Sequence, residues 1–431
     1  MSKKSRPEIQ ITILGLGPGD PGLLTRDAWQ VIGEADDIYL RTRQHPTVAG
    51  FPPGLRVHSF DNLYENGASF EEVYRGIVDR VLHLSQRSQG VIYAVPGHPF
   101  VAEATTPSIV ERAGQEGISC RIIPGVSFLE PTYSALGLDP LPATVLLDAL
   151  RVTDLHHPPF PPDTPALIAQ VHSPRVAGNV KLTLMSVYPD EHPVSLVHRA
   201  GNEDQKVEYL PLYEIDRSGE IGLMTVLYVP PLEEGTSFEA FQEVIAHLRA
   251  PDGCPWDREQ DHQSLRPHLL EEAYEALTAL DADDPQAMQE EFGDLLLQIV
   301  LHAQIAAEYG EFTMADVLRG IHTKLVARHP HVFDDVEIEE TEEVLSNWER
   351  LKAKERDEES GEQTGVLSGV SPVLPALTQA QTYQKRAARV GFDWPGLSGV
   401  NDKVREELEE IDHVEHPRQR AAEVGDLLFA V

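Results

Sequence analysis

Five acidic side chains stand out by their spacing: Glu271, Glu272 and Glu275 in LLEEAYEALTAL, and Glu291 and Asp294 in QEEFGDLLLQIV. On an α-helix each residue advances by about 100°, so Glu272 and Glu275 lie roughly 60° apart, with Glu271 about 40° from Glu275 on the other side. All three share one narrow face. Glu291 and Asp294 repeat the three-residue step, although spacing alone does not choose Glu291 over Glu290. The intervening DADDPQAM holds a proline and several turn formers, enough to reverse the chain, so two antiparallel helices can aim four or five carboxylates at one place. Like charges that close, partly desolvated, repel one another or force protonation. A divalent cation removes the conflict, and oxygen ligands without Cys or His select Mg²⁺ or Mn²⁺ over zinc. A solvated acidic helix face is the competing explanation for one EExxE; two clusters on Leu-rich helices speak against it.

The elements around these residues divide the chain. Its 431 residues suggest about three domains at roughly 150 residues each. From Ile9 to about Pro231, strand-like runs (IQITILGLG, ADDIYL, GVIYAVPG, SCRIIPGV, HPVSLVHRAG, GLMTVLYVP) alternate with helical stretches, the pattern of an α/β domain with a substantially parallel sheet. From Phe238 to about Arg356 the apolar residues recur at helical spacing and Gly and Pro retreat to the joints, as in an all-α bundle. KAKERDEESGEQTG then decays into a linker. Beyond it Glu406, Glu407 and Glu410 repeat the spacing of Glu271, Glu272 and Glu275, and EVGDLL echoes EFGDLL. The second set, Glu407, Glu410, Glu423 and Asp426, has a shorter connection and lacks the later helices, so an incomplete segment that aids folding or dimerisation is expected. The multidomain reading is thus residues 1–231, 238–356 and 357–431.

GCPWDREQDHQSLRPHLLEEAYEAL, EEFGDLLLQIVLHAQIA, KLVARHPHVFDD and NWERLKAKER, in that order, resemble the MazG family of nucleoside triphosphate pyrophosphohydrolases over nearly all of 238–356. The resemblance implies an all-α fold, usually dimeric, that splits a nucleoside triphosphate between its α- and β-phosphates, with Mg²⁺ (or Mn²⁺) held by Glu272, Glu275, Glu291 and Asp294. Glu271, beside those ligands, is a candidate to orient or deprotonate the attacking water. Lys324, Arg328 and Lys352 are candidates for the outer phosphates, and Trp256 and Trp348 for stacking the base or closing the bundle. His329 and His331 flank a helix-ending proline and suit a turn better than a metal.

In the first region, Gly15, Gly17, Gly19 and Gly22 crowd the turn after the first strand. Pro18 spoils a GxGxxG pattern, so a dinucleotide fingerprint is weak. With YAVPGHPFVAE and IIPGVSFLEP, however, GLGPGD resembles the tetrapyrrole methylase family. That resemblance implies a two-lobed, often dimeric α/β domain with S-adenosylmethionine in a cleft near Pro18, Gly19, Gly97, His98 and Ser127. Many members carry GDP where this chain has Gly97, His98 and Pro99. The runner-up reading is therefore a methyltransferase whose helical part only scaffolds dimers.

A formal net charge of −35 disfavours a nucleic-acid or anionic-lipid partner. Cys120 and Cys254, the only cysteines, are expected to be reduced. MSKKSRPEIQ has no apolar signal core and no segment is long and apolar enough to span a membrane, so a cytoplasmic protein is expected.

Overall fold

The structure is a computed structural model; it describes residues 9–66, 69–334, 343, 344, 348, 351 and 365–431. The chain divides into two compact units, Met1–Gln260 and Asp261–Val431.

The first unit has two lobes, each built on a five-stranded sheet. Strands β1 (Ile11–Gly15), β2 (Asp37–Leu40), β3 (Arg56–Ser59), β4 (Val91–Val95) and β5 (Cys120–Ile123) form an all-parallel sheet in the order β3-β2-β4-β1-β5. Alternation along β1 sends Ile11 and Ile13 to one face and Leu14 to the other. Helix α1 (Arg26–Glu34), with Thr25 capping its N-terminus, covers the Leu14 face through Ala28 and Ile32. After α2 (Asp61–Asn66), helices α3 (Phe70–Leu84) and α4 (Thr105–Glu116) cover the opposite face through Ile77, Val81 and Ile109. Both faces of the parallel sheet are thereby buried, which explains its apolar strands.

Helix α5 (Leu129–Leu136) leads to the second lobe, whose strands β6 (Val145–Asp148), β7 (Ala166–Ala169), β8 (Pro193–His198), β9 (Lys206–Pro211) and β10 (Thr225–Val229) order as β6-β7-β10-β8-β9. Helices α6 (Ala149–Thr153) and α7 (Pro174–Leu184) contribute Val152, Val176 and Val180 to its core. This sheet is mixed: β8 pairs antiparallel with β9 and β10, and only β6–β7 is parallel. The chain between β8 and β9 is too short for a parallel crossover, so a hairpin is the available connection. The largely parallel expectation therefore holds for the first sheet and not for the second.

Helices α8 (Phe238–Arg249) and α9 (Pro255–Glu259) group with the first unit, which places the divide at Gln260. One cause is visible at the α8 N-cap, where Ser237 donates to Asp163 at 2.6 Å while accepting from the Ala240 amide.

The second unit is helical throughout its described residues. Helices α10 (Arg266–Asp281) and α11 (Pro285–Glu308) form an antiparallel pair, with Asp284 capping α11 through the amides of Gln286 and Ala287. Helix α12 (Met314–Arg328) starts on a capping box between Thr313 and Asp316 and packs on α11; α13 (Pro330–Phe333) follows. The C-terminal stretch forms α14 (Ala376–Arg389), α15 (Leu397–His413) and α16 (Pro417–Ala430), the last two pairing as α10 and α11 do.

At the mouth of the first hairpin, His262 and His302 bring their Nδ1 atoms within 2.8 Å, rings stacked at 5.1 Å. Burial, then the neighbouring His262, holds His302 below the usual histidine range. The unfolded chain therefore binds a proton that the folded chain resists, so stability is intact above about pH 6.5 and falls as the pH drops through the folded-state value. Urea midpoints measured from pH 7.5 to 5.5 should decline less steeply in His302→Gln than in the parent. Equal slopes would show that the histidine pair does not set this dependence.

Candidate functional site

The first sheet reverses its winding direction between β1 and β4. After β1 the chain proceeds to β2 on one side, and after β4 it proceeds to β5 on the other, so the loops leaving two neighbouring strands diverge. The crevice at such a switch point, outside the carboxyl ends of parallel strands, is where open α/β sheets take ligands. Here the loops touch through backbone alone. The Gly17 amide donates to the Gly97 carbonyl at 3.2 Å and the Gly97 amide returns to Gly17 at 2.8 Å. A Cβ on Gly15 would lie 2.5 Å from the Gly97 carbonyl oxygen and 2.6 Å from the Gly125 amide nitrogen, so a third loop, after β5, meets the same point. Gly17 and Gly19 hold positive φ values of 72° and 144°. Pro18 and Gly19 are buried under Asn202 of the second lobe, which donates to the Pro18 carbonyl at 3.3 Å.

His98 is half-buried and its Nδ1 accepts from the Phe100 amide at 3.1 Å. Ser127 is buried, donating to Glu130 at 2.6 Å and accepting from the Leu129 amide. Its hydroxyl is thus committed to starting α5. Next to this crevice, Arg41 is paired with the buried Glu103 and donates to Tyr64 at 2.9 Å and Tyr74 at 3.2 Å, a network the sequence did not disclose.

In the second unit, α10 presents Glu272 and Glu275 one turn apart and α11 presents Glu291 opposite them; a carboxylate oxygen of each lies within 4.8 Å of the others. Desolvation, then the charges of Asp294, Glu275, Glu271 and Glu291, raises Glu272 above the usual carboxylate range. Glu291 is raised likewise by desolvation and then by Glu275, Glu290 and Asp294. Asp294 therefore acts on both, although it falls outside the tight group of three. Oxygen donors converging with unrelieved repulsion are the donor set that a hard divalent cation requires. Glu271 is exposed, its carboxylate 3.8 Å from Nδ1 of His268, a residue the sequence reading passed over.

Lys324 and Arg328 stand one turn apart on α12, and the Arg328 guanidinium lies over the Trp348 ring at 5.5 Å. Two of the expected substrate-binding residues are thus in contact. Trp256 sits on α9 of the first unit, 56% exposed, and Lys352 lies outside the described residues. His329 and His331 have ring centroids 5.7 Å apart, and His329 Nδ1 is spent on the Leu325 carbonyl at 2.7 Å, in keeping with a turn.

Residues 10–216 match the family model for tetrapyrrole (corrin/porphyrin) methylases, and residues 260–333 match that for the MazG nucleotide pyrophosphohydrolase domain. YabN of Bacillus subtilis is 40% identical over 436 residues, covering 98% of this chain and 87% of that protein. The chain belongs to the tetrapyrrole methylase–MazG fusion family. Its MazG portion is also 44% identical, over 199 residues, to the nucleoside triphosphate pyrophosphohydrolase/pyrophosphatase MazG of Thermotoga maritima, a match covering 46% of this chain and 75% of that one. The nucleoside triphosphate pyrophosphohydrolase of Escherichia coli K12 is 44% identical over 193 residues, covering 43% and 73%.

The MazG match ends at Phe333, yet the α15–α16 hairpin repeats the carboxylate arrangement beyond it. Glu407, Glu410 and Glu423 again bring oxygens within 4.8 Å. Desolvation, then Glu410, raises Glu423. Asp426 adds to that rise. The difference is a lysine: Lys403 Nζ lies 2.8 Å from Glu407 and 3.2 Å from Glu406. The residue four positions before Glu272, by contrast, is His268.

The methylase-like crevice depends on side-chain-free contact between its loops. Gly15→Ala should destabilise the first unit by about 1–3 kcal/mol, because the new methyl group meets backbone that cannot rotate away. Thermal unfolding monitored by tyrosine fluorescence checks this. A melting temperature equal to the parent's would show that the loops have room to separate.

Proposed function

We propose that the helical unit is a Mg²⁺-dependent nucleoside triphosphate pyrophosphohydrolase that releases monophosphate and pyrophosphate. The observation that carries this is the convergence of Glu272, Glu275 and Glu291 on one point, with Asp294 near enough to raise Glu272. Pyrophosphohydrolases among the MazG relatives support the reaction class. Glu272, Glu275, Glu291 and Asp294 would hold the cation, Mg²⁺ or Mn²⁺, and it would neutralise phosphate oxygens and lower the pKa of the attacking water.

The chain's own residues supply the rest. Glu271, exposed beside the ligands on α10 with its carboxylate 3.8 Å from His268 Nδ1, is the candidate to orient or deprotonate the attacking water. Lys324 and Arg328 oppose the charge of the outer phosphates, and Arg328 against Trp348 fixes a flat cationic surface beside them.

Leu270, Tyr274 and Leu277 on α10, and Phe292, Leu296 and Ile299 on α11, recur at helical spacing and are exposed. A second copy of the chain is the proposed cover, giving a dimer. Among the described residues no helix is long and apolar enough to cross a membrane. A cytoplasmic enzyme acting on free nucleotides, without a nucleic-acid polymer as partner, suits that finding and the −35 charge.

Pyrophosphate release from mixed nucleoside triphosphates should require Mg²⁺ and fall about 100-fold or more in Glu272→Gln/Asp294→Asn. Mg²⁺ should also raise the melting temperature of the parent by roughly 5 °C and leave that of the double variant unmoved. Unchanged turnover in the double variant would end the proposal.

The glycine crevice favours a second reading for the first unit: it binds S-adenosylmethionine, a methyl donor, at Pro18, Gly19, Gly97, His98 and Ser127, chiefly through backbone. Close loop approach without side chains is what a nucleoside cofactor needs. Calorimetric titration of the full chain with S-adenosylhomocysteine should give saturable heat at micromolar to millimolar ligand. Absence of heat at millimolar ligand would leave this unit without the cofactor role.

A further inference from the structure

The second loop of the crevice, residues 96–102, leaves β4 and carries Gly97, which bridges to Gly17. Arg41, just past the end of β2, holds both ends of that loop. Before its start, the Arg41 amide donates to the Ala94 carbonyl at 2.9 Å. At its finish, Nη1 of the Arg41 guanidinium is paired with Glu103, whose side chain is only 1% exposed. The other Glu103 oxygen accepts from the Thr105 amide at 2.9 Å and from the Thr105 hydroxyl. That hydroxyl has then given its one proton to Glu103, so Tyr93, 2.9 Å away on β4, is the donor to Thr105. The chain of bonds therefore runs from β4 past the loop to the start of α4 and back to Arg41. The guanidinium reaches two further elements, donating to Tyr64 on α2 at 2.9 Å and to Tyr74 on α3 at 3.2 Å.

Stability alone does not call for this arrangement, because an apolar pair of similar volume generally serves a core as well as a buried ion pair does. What the pair fixes is the path of the loop. Ala102, immediately before Glu103, is held at φ 52°, a left-handed backbone that a residue with a Cβ keeps only under constraint from its surroundings. The bonds inside the loop are local, with the Phe100 and Val101 amides turning back to His98. Glu103, anchored through both oxygens, supplies the constraint from outside.

We propose that Arg41 is a positioning residue: clasped to Glu103, it fixes the loop so that Gly97 meets Gly17 and the crevice is formed before its nucleoside ligand arrives. A preformed crevice spares the ligand the entropy of ordering the loop, so the clasp raises affinity without touching the ligand. That consequence rests on the cofactor reading of the first unit, whereas the clasp itself does not.

Two measurements on the full chain test this. Arg41→Met/Glu103→Gln removes both charges and keeps both volumes; Arg41→Lys keeps the charge and loses the planar fork that serves Glu103 and the two tyrosines together. Amide hydrogen exchange without ligand reads the clasp. The Gly97 amide, bonded to the Gly17 carbonyl at 2.8 Å, should exchange about tenfold faster or more in the double variant while amides of β1 and β5 keep their parent rates. Calorimetric titration with S-adenosylhomocysteine reads the consequence: the dissociation constant should rise about tenfold in the double variant and by less in Arg41→Lys. Gly97 exchange that is unchanged, or that rises only in step with β1 and β5, would overturn the clasp, since a pair that merely stabilises the unit loosens all its amides alike. Faster Gly97 exchange with parental affinity would overturn its role in the site. No heat with the parent would overturn the cofactor reading, and the exchange rates would still decide the clasp. Should the double variant fail to fold, Arg41→Lys is judged by the same two measurements.

Discussion

Repulsion among carboxylates across the α10–α11 seam is the constraint on which the helical unit turns. The two helices are in contact, Ala276 and Ala279 are the buried residues of α10, and Glu272, Glu275 and Glu291 bring carboxylate oxygens within 4.8 Å of one another. Burial stabilises the seam while the charges oppose it. Glu272 and Glu291 record the opposition directly, each pushed above the usual carboxylate range first by desolvation and then by its neighbours. A fold that keeps such an arrangement holds free energy that a bound cation can release, and the local stability of the hairpin is thereby tied to its ligand.

The first unit uses the opposite device. Its crevice holds little charge and is shaped by the removal of side chains. Gly15, Gly17, Gly97 and Gly125 let three loops meet backbone to backbone, and the amide–carbonyl exchange between Gly17 and Gly97 satisfies groups that a switch-point crevice would otherwise leave exposed. The second lobe completes the wall by bringing Asn202 onto the Pro18 carbonyl. Rigid backbone suits a ligand recognised by shape and a few hydrogen bonds; converging carboxylates suit one recognised by charge. The two units thus present arrangements of unlike chemistry on one chain.

How much of this was legible follows from which residues carry local information. The acidic steps of three and four residues fixed a helix face regardless of the rest of the protein, so Glu272 and Glu275 could be read directly, whereas the choice of Glu291 over Glu290 on the second helix came from the family resemblance. The strands β1, β2, β4, β5, β8 and β10 were visible as β-branched runs. RVHS at β3, VLLD at β6, ALIA at β7 and KVEYLP at β9 were missed: they are short, and their pairing is decided by neighbours distant in sequence. The antiparallel half of the second sheet was missed for the same reason. His268 and the His262–His302 pair gave no signal either, since a lone histidine becomes informative only when its neighbours in space are known. Ser127 was read from its loop, and the structure shows its hydroxyl already engaged in starting α5.

The α15–α16 hairpin shows what the first hairpin lacks. Both carry the same carboxylate steps, and both bring three oxygens within 4.8 Å, so the geometric demand for positive charge is the same. In the second, Lys403 answers part of it from within the helix, at 2.8 Å from Glu407, and the lysine is held firmly protonated by Glu407 and Glu406. A tethered ammonium supplies one charge without leaving the chain, whereas Glu272 has a histidine at that offset that pairs with Glu271 instead. Compensation is nevertheless incomplete, because Glu407 is 3% exposed and its second oxygen has no hydrogen-bond partner. The two hairpins thus apply one architecture at different degrees of internal neutralisation. The less neutralised one, α10–α11, has the greater need of a cation from solution, and it is the one within the MazG match.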